Sequence, residues 1–410
     1  MAGHIQDRWY KTETDTNGKP RRVRADRHGA GMRYRARYIG PDGTEKSKSF
    51  PDRHRREAEA WLAQVRADME RGQYIDPKNA RTTFQQYAER WLASQTIDSR
   101  DTAERQVRLH AFPYIGSRPL GTFQPAHIRM WLRQMKDAGI PGTYAVHIYG
   151  NVRAVLSAAV DDGFLARNPC SAKSVRPPTT EAKRIVPWLP ERVFGVRAML
   201  PERYQAMTDV GAGCGLRQGE ILGLTKEAID IGAGTLHVVR QVKLIRGKPV
   251  FAPPKCDKER NVPLPGAVTD RLHAHIGKYE PTEVTLPWKT LDGPPVTCRL
   301  IFTGELGAVI RRGTFNDYVW KPALAAAGVI PEREIGERHQ AAREYGMHAL
   351  RHFYASVLLD AGENIKAISE YLGHADPALT LRVYAHLLPS SQDRARRAVD
   401  TVFRDIDENA

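Results

Sequence analysis

The sequence predicts a multidomain chain, mainly α with small β-sheets: an N-terminal small β-sheet plus helix, a helical domain, and a mixed α+β domain. Three observations predict it. Near the N terminus, apolar and basic residues alternate with a period of two. In the middle of the chain they recur at helical spacing, and the C-terminal half passes from helices to strand-like runs and back to helices. The stretch 171–189 is rich in Pro, Lys and Arg, with Pro177-Pro178 at its centre, and reads as an extended linker. The expected blocks are 1–75, 82–178 and 184–410, and 410 residues suit two or three domains.

In the first block, Met32, Tyr34, Ala36 and Tyr38 should face one side of a strand, and Arg33, Arg35 and Arg37 the other. Pro41-Asp42-Gly43 signals a turn, and Thr44–Phe50 reads as the returning strand. A further strand is expected around Arg22–Ala25 or nearer Trp9. Asp52 is placed to cap a helix whose apolar stripe is Ala58, Trp61, Leu62 and Val65. The arginine face suits a strand lying in a DNA major groove, or else is a solvated outer face.

The second block reads as four helices, Phe84–Ser94, Thr102–Phe112, Pro125–Ala138 and Tyr144–Asp162, with Pro125 in the first turn of the third. The third opens with helices, continues through strands at Thr235–Val242, Lys248–Phe251 and Asn261–Leu264, and returns to helices from Tyr345. Residues 280–312 fit no clear pattern beyond a loop excursion with short strands.

Lys and Arg exceed Asp and Glu by 15, and residues 1–56 carry 15 basic against 7 acidic side chains. A pI near 9.7 points to a polyanion, and the uneven placement points to a dedicated nucleic-acid module. The four cysteines, Cys170, Cys214, Cys256 and Cys298, have neither zinc-site spacing nor the density of a disulfide framework. No apolar run is long enough to span a membrane and the start of the chain is polar, so a soluble, cytoplasmic protein with no membrane partner is expected.

Residues that carry chemistry cluster in the third block. Arg217 should start a helix, with Glu220 three residues on, able to orient its guanidinium. The glycines at 211, 213 and 215 lack dinucleotide-binding spacing and read as a turn that lets backbone approach. Pro253–Leu264 looks like a basic hairpin carrying Lys255 and Lys258. His348 and Arg351 share a helix face. His348 and His352 also have the spacing of a zinc pair, but the intervening Glu and a third ligand are missing, so no metal is expected. Gly373 should end the helix Ile365–Leu372, ahead of His374, and Tyr384 follows ten residues after that histidine.

Arg217, Lys255, His348-x-x-Arg351, Leu-Gly-His374 and Tyr384, in this order and at these separations, resemble the tyrosine recombinase (phage integrase) family, and the whole stretch His348–His386 is similar to its C-terminal signature. The resemblance makes 184–410 a catalytic domain, 82–178 a helical core-binding domain and 1–75 an arm-type DNA-binding domain. It implies that Tyr384 attacks the scissile phosphate to give a 3′-phosphotyrosine and that Arg217 and Arg351 hold the non-bridging oxygens. Lys255, with Lys258 as the alternative, would protonate the 5′-oxygen, His348 would act as base, and His374 would hydrogen-bond the phosphate. Glu220 is the supporting residue, and Arg33, Arg35 and Arg37 are the DNA-binding candidates. No cofactor, metal or ATP is needed.

The implied partners are double-stranded DNA with core and arm sites, three further copies of the chain in a homotetramer, a small directionality factor and a DNA-bending host protein. An apolar strip of Val399, Val402, Phe403 and Ile406 is expected to dock on a neighbouring catalytic domain or on its own. A resolvase or invertase, a type IB topoisomerase and a non-catalytic DNA-binding regulator are the competing readings. Ionising an ordinary tyrosine, with a pKa of about 10, costs roughly 4 kcal/mol at pH 7, so Tyr384 needs cations or a base beside it.

Overall fold

The computed structural model describes residues 3–14, 19–95, 100–180, 186–334, 336–339, 343–374 and 376–384, in two compact units, 1–182 and 183–410. The apolar strip expected at Val399–Ile406 and the end of the C-terminal signature, His386, lie outside the described residues.

The first unit begins with β1 (His4–Asp7), β2 (Tyr10–Thr14), β3 (Pro20–Arg24), β4 (Tyr34–Ile39) and β5 (Glu45–Phe50). Strand β4 is the centre of an antiparallel sheet ordered β1-β4-β5. Tyr34, Ala36 and Tyr38 are buried with Phe50 against Ala58 and Leu62 of α1 (Arg55–Glu70), as the alternation requires. The strand beside β4 is β1, in register Ile5 with Ala36, so the alternative near Trp9 holds for this sheet. Arg22–Arg24 instead belongs to a separate β2–β3 ribbon. Asp52 does not cap α1, whose first turn follows His54. Its carboxylate is occupied by the Arg53 backbone N–H at 2.8 Å and Arg33 Nη1 at 2.9 Å.

The remainder of this unit is helical. A short α2 (Pro77–Ala80) precedes α3 (Phe84–Ser94), α4 (Arg100–His110), α5 (Pro125–Asp137) and α6 (Gly142–Asp161). Thr83 caps α3, its hydroxyl accepting from Gln86 N–H at 3.2 Å while the Gln86 side chain accepts from Thr83 N–H at 3.0 Å. Pro125 sits in the first turn of α5, where no N–H is needed. Trp131 is fully buried at the centre of this core, its indole N–H donating to the His110 carbonyl at 2.7 Å. The stretch expected as linker is anchored at both ends. Val175 is buried in the helical core, and Trp188 is buried in the core of the second unit, stacked on Trp320 at 6.3 Å.

The second unit opens with α7 (Pro190–Met199), α8 (Glu202–Cys214) and α9 (Gln218–Leu222). Next come β6 (Ile229–Asp230), β7 (Thr235–Val238), β8 (Gln241–Ile245), β9 (Lys248–Ala252) and β10 (Arg260–Pro263). The expected run Thr235–Val242 therefore splits: β7 pairs with β6 and β10, while β8 pairs with β9. For the same reason residues 253–259 are not a hairpin tip. They connect two different sheets through a tight helical turn at Lys255–Asp257.

After α10 (Gly266–Lys278), residues 280–312 resolve into a hairpin of β11 (Thr282–Pro287) and β12 (Pro295–Leu300). Its turn docks on β9: Lys289 N–H donates to the Phe251 carbonyl at 2.7 Å. Lys289 Nζ lies 3.8 Å from Asp257 of the lysine turn. The helices α11 (Arg312–Phe315) and α12 (Lys321–Ala326) are joined by a wider turn, and α13 (His348–Asp360), α14 (Ile365–Leu372) and α15 (Pro377–Tyr384) complete the unit. Gly211 and Gly213 lie inside α8 rather than in a turn. A Cβ there would meet Leu350 at 2.9 Å and Val268 at 2.5 Å, so they let α13 and α10 pack closely. Among the described residues no helix is long and apolar enough to cross a membrane.

Replacing Trp131 with Ala should cost about 3–5 kcal/mol, the range for emptying a fully buried aromatic site. A thermal melt followed by circular dichroism should lose its helical transition to lower temperature, and an unchanged melt would contradict the central position of this side chain.

Candidate active site

Two chain reversals set the geometry. Gly215 ends α8 in the left-handed conformation (φ 64°), with the Tyr354 ring 2.4 Å from where a Cβ would be, so no larger residue fits. Its carbonyl accepts from Arg351 Nη1 at 2.8 Å. Gly373 ends α14 in the same conformation (φ 60°), as expected, and its carbonyl accepts from Arg217 Nη2 at 3.3 Å. Both helix ends thus aim unpaired carbonyls at arginines.

Arg217 stands at the start of α9, as expected. Its backbone N–H donates to Glu220 Oε2 at 2.8 Å and its Nη1 to Glu220 Oε1 at 2.9 Å. The Glu220 side chain is fully buried, and a second arginine, Arg260, forks onto it at 3.0 and 2.7 Å. Arg260 Nε donates to the Tyr371 carbonyl at 2.7 Å, tying β10 to α14. Burial alone would raise the Glu220 carboxyl, but the Arg260 hydrogen bonds, with the charges of Arg260 and Arg217, outweigh it and hold it at about 2. Arg260 was not singled out from sequence. The available signal was a third cation, five residues after Lys255, beside a carboxylate that one arginine could not fully satisfy.

Helix α13 carries His348, Arg351 and His352. Arg351 is 1% exposed, bonded to the carbonyls of Gly215 and Leu372. Burial, then the charge of Arg217, lower its guanidinium to about 9, which leaves it cationic at neutral pH. His348 opens onto solvent while protein crowds its other sides. That crowding and the positive surroundings of His352, Arg351 and Arg217 favour its neutral form, and because water reaches the ring the direction carries the chemistry.

Helix α15 presents Thr380 and Tyr384 one turn apart on the same face. Thr380 Oγ1 is hydrogen-bonded to His374 Nδ1 at 2.7 Å, and Tyr384 Oη to His352 Nδ1 at 2.7 Å. The His352 and His348 rings meet edge to face at 4.7 Å. Tyr384 is 2% exposed, and burial pushes its phenol up to about 12 despite the opposing charges of Arg351 and Arg217. Burial, then Arg351, lowers His352 to about 4; burial, then Arg351, Arg217 and Arg260, does the same to His374. Thr380 and His352 are the further site residues that sequence reasoning left without a role. The first lies one helical turn before the tyrosine, the second one turn after His348.

The structure therefore brings Arg217, Glu220, His348, Arg351, His374 and Tyr384 together, with Arg260, His352 and Thr380. Of the two lysines, Lys258 Nζ reaches the His374 carbonyl at 3.1 Å, while Lys255 is exposed on the same turn. Among the described residues no group of three or more His, Cys, Asp or Glu could hold a metal ion.

In the N-terminal sheet the arginines are less free than the alternation suggests. Arg33 is bound to Asp7 at 3.0 Å and Asp52 at 2.9 Å and lies over the rings of Trp9, Tyr10 and Tyr34, a structural role rather than an open DNA contact. Arg37 pairs with Glu45 at 3.2 Å. Arg35 is bonded through Nε to Ser47 Oγ at 2.8 Å.

Residues 181–391 match the phage integrase family, and residues 84–174 match the phage integrase central domain. A putative prophage phiRv2 integrase of Mycobacterium tuberculosis is 25% identical over 86% of this chain and 88% of its own length. A XerC-like tyrosine recombinase of Caldanaerobacter subterraneus is 29% identical over 62% of this chain and 64% of its own length, just under two thirds of that relative. The Tn1549 transposon integrase, solved with a circular intermediate DNA, shares the fold with a TM-score of 0.63 at 19% identity, over 78% of this chain and 99% of that one. A λ integrase tetramer bound to a Holliday junction gives 0.54 at 14% identity, over 85% and 91%.

Glu220→Gln should remove about 3–5 kcal/mol at neutral pH, because it leaves two largely shielded arginines without their shared, fully buried counter-charge. The depressed carboxyl makes the contribution full above pH 4.5 and lost as pH falls toward about 2. Melting wild type and variant side by side should show a gap at pH 7 that narrows on acidification through that window; a constant gap would contradict the ion pair as its source.

Proposed function

The chain belongs to the phage integrase family and is a tyrosine-type site-specific recombinase, and on that premise we propose that it integrates a phage or other mobile element into a bacterial chromosome, through a 3′-phosphotyrosine formed by Tyr384. The observation that carries this reading is the convergence of Arg217, His348, Arg351, His374 and Tyr384, from four separate chain segments, on one cationic site. Arg217 and Arg351 hold the non-bridging oxygens of the scissile phosphate, where planar guanidinium groups suit the geometry. His374 adds a hydrogen bond, His348 is the candidate base, and Lys255, with Lys258 as the alternative, protonates the leaving 5′-oxygen. The phosphotyrosine bond conserves the phosphodiester energy, so resealing needs no ATP.

The phenol at about 12 sharpens the chemical problem. Ionising it at pH 7 costs about 7 kcal/mol, against roughly 4 for a free tyrosine. Proton removal must accompany attack, and the phenol must be uncovered for a phosphate to reach it.

Residues 1–75 serve as an arm-binding module, 82–178 as a core-binding domain and 184–410 as the catalytic domain. Four copies of the chain act together on two duplexes, with a directionality factor and a DNA-bending protein as auxiliary partners. The reaction takes place on the chromosome, in the host cytoplasm. The mycobacterial phage and prophage integrases among the relatives favour an element integrase over a resolvase.

A nicked suicide duplex carrying the crossover sequence, taken from the repeat that flanks the integrated element, tests the nucleophile. Wild type should give a denaturation-resistant protein–DNA adduct in EDTA, and Tyr384→Phe should bind the duplex equally and give none. An adduct from the Phe variant would sink the assignment. For the arm module, Arg35→Ala should weaken arm-site binding and reduce its salt slope by about one, while sparing cleavage of an isolated core site. Equal loss at both sites would count against an arm-specific role.

A further inference from the structure

We propose that His352 is a catalytic residue: its Nδ1 takes the proton of Tyr384 as the phenol attacks phosphorus, a step that rests on Tyr384 being the nucleophile. The imidazole nitrogen is 2.7 Å from the phenolic oxygen. The rings stand 5.6 Å apart at 63°, so the contact is along the nitrogen rather than across the ring face. His348, the base that the sequence suggests, is one turn away on α13, its ring packed edge to face on that of His352. Arg351 lies next to His352 in the chain but is directed to the carbonyls of Gly215 and Leu372, where it cannot accept a proton. This division gives His348, which opens onto solvent, to the substrate and His352 to the nucleophile.

In the neutral tautomer with its proton on Nε2, His352 presents the Nδ1 lone pair to the phenol, which donates to it. As the bond from Tyr384 Oη to phosphorus forms, the phenolic proton passes to Nδ1 and the ring becomes an imidazolium. The bond from phosphorus to O5′ breaks, its electron pair leaves with the 5′-oxygen, and that oxygen takes a proton from the lysine of the 255–258 turn. Rejoining runs the same transfers backwards: the 5′-hydroxyl attacks phosphorus, its proton returns to the lysine, and His352 returns its proton to the departing tyrosine oxygen.

The titratable and charged groups about His352 are His348 and Arg351 on its own helix, Tyr384 on α15 and His374 beyond α14. Without DNA, burial and then the charge of Arg351 depress the imidazole. A bound phosphodiester brings a negative charge to the same arginine, and a nearby anion favours protonated histidine. The base therefore gains strength when the substrate is present, which discourages proton loss from Tyr384 in the free protein.

The test is single-turnover cleavage of the same nicked duplex by wild type, His352→Ala and His352→Asn, at matched DNA occupancy. Asn offers an oxygen near the position of Nδ1 and holds the hydrogen bond, but it cannot accept the proton. Both variants should bind DNA normally and cleave at least 100-fold more slowly. The acidic limb of the rate profile should be lost, and added imidazole should partly restore the Ala variant. Cleavage by His352→Ala as fast as wild type, or faster, would show that the histidine only restrains the resting tyrosine, and would overturn the proposal. Near-normal cleavage by His352→Asn with an unchanged pH profile would overturn it too, since a hydrogen bond alone would then suffice. If wild type forms no adduct at all, it is the Tyr384 reading that fails, and this one with it.

Discussion

The Glu220 carboxylate holds two guanidinium groups that come from separate elements of the second unit. Arg217 begins a helix, while Arg260 begins a strand that leads away from the lysine turn. With its side chain fully out of water, Glu220 is tolerable only as an ion bonded on both oxygens, and each arginine is equally dependent on it. The consequence is positional. Arg217 reaches the carbonyl of Gly373, Arg260 reaches that of Tyr371, and so the end of α14, which delivers His374, is fixed to the same carboxylate. A change at this one residue moves the arginine, the lysine turn and the histidine together.

Around that anchor the site sets burial against charge. Desolvation disfavours the ionised phenol of Tyr384 and the protonated forms of His352 and His374, while Arg351, though lowered by burial, stays cationic. The free protein therefore holds neutral acids and bases amid fixed positive charge. The Glu220 carboxylate answers Arg217 and Arg260, and a phosphodiester is the further anion that this cationic site suits. The electrostatics are completed by the substrate, which couples reactivity to occupancy without any separate switch.

Much of this was legible in the sequence because it is local. Period-two alternation placed Tyr34, Ala36 and Tyr38 in the core, Pro125 placed the start of α5, and Gly373 placed the end of α14. The spacing of His348, Arg351, His374 and Tyr384 survives folding because each pair lies on one helix or at its end. What failed was non-local. Whether 253–264 is a hairpin depends on which strands its flanks pair with, and β10 pairs with β7 rather than β9. The ribbon at Arg22–Arg24 and the docking of the β11–β12 turn on Phe251 have the same origin. Arg260, Thr380 and His352 escaped notice because their partners are fixed by tertiary contacts rather than by a motif.

Charge counting failed in a more instructive way. Residues 1–56 hold 15 cations and 7 anions, and the alternation alone turns Arg33, Arg35 and Arg37 into one basic face. Folding assigns Asp7 and Asp52 to Arg33 and Glu45 to Arg37, so that face is largely neutralised within the domain. Carboxylates from beyond residue 56 take up further cations of this block, Asp76 pairing with Lys46 and Glu59 with Arg55. Exposed cations remain beyond the central strand, at Arg21 and Arg24 of the ribbon and at Lys48 of the edge strand, while Arg22 of the ribbon is paired with Asp7. Net charge thus says that this module carries a surplus suited to a polyanion, while the ion pairs decide which of its faces can meet one. The ordered arginine, Arg33, stabilises the domain, and the cations left at its margins carry the field.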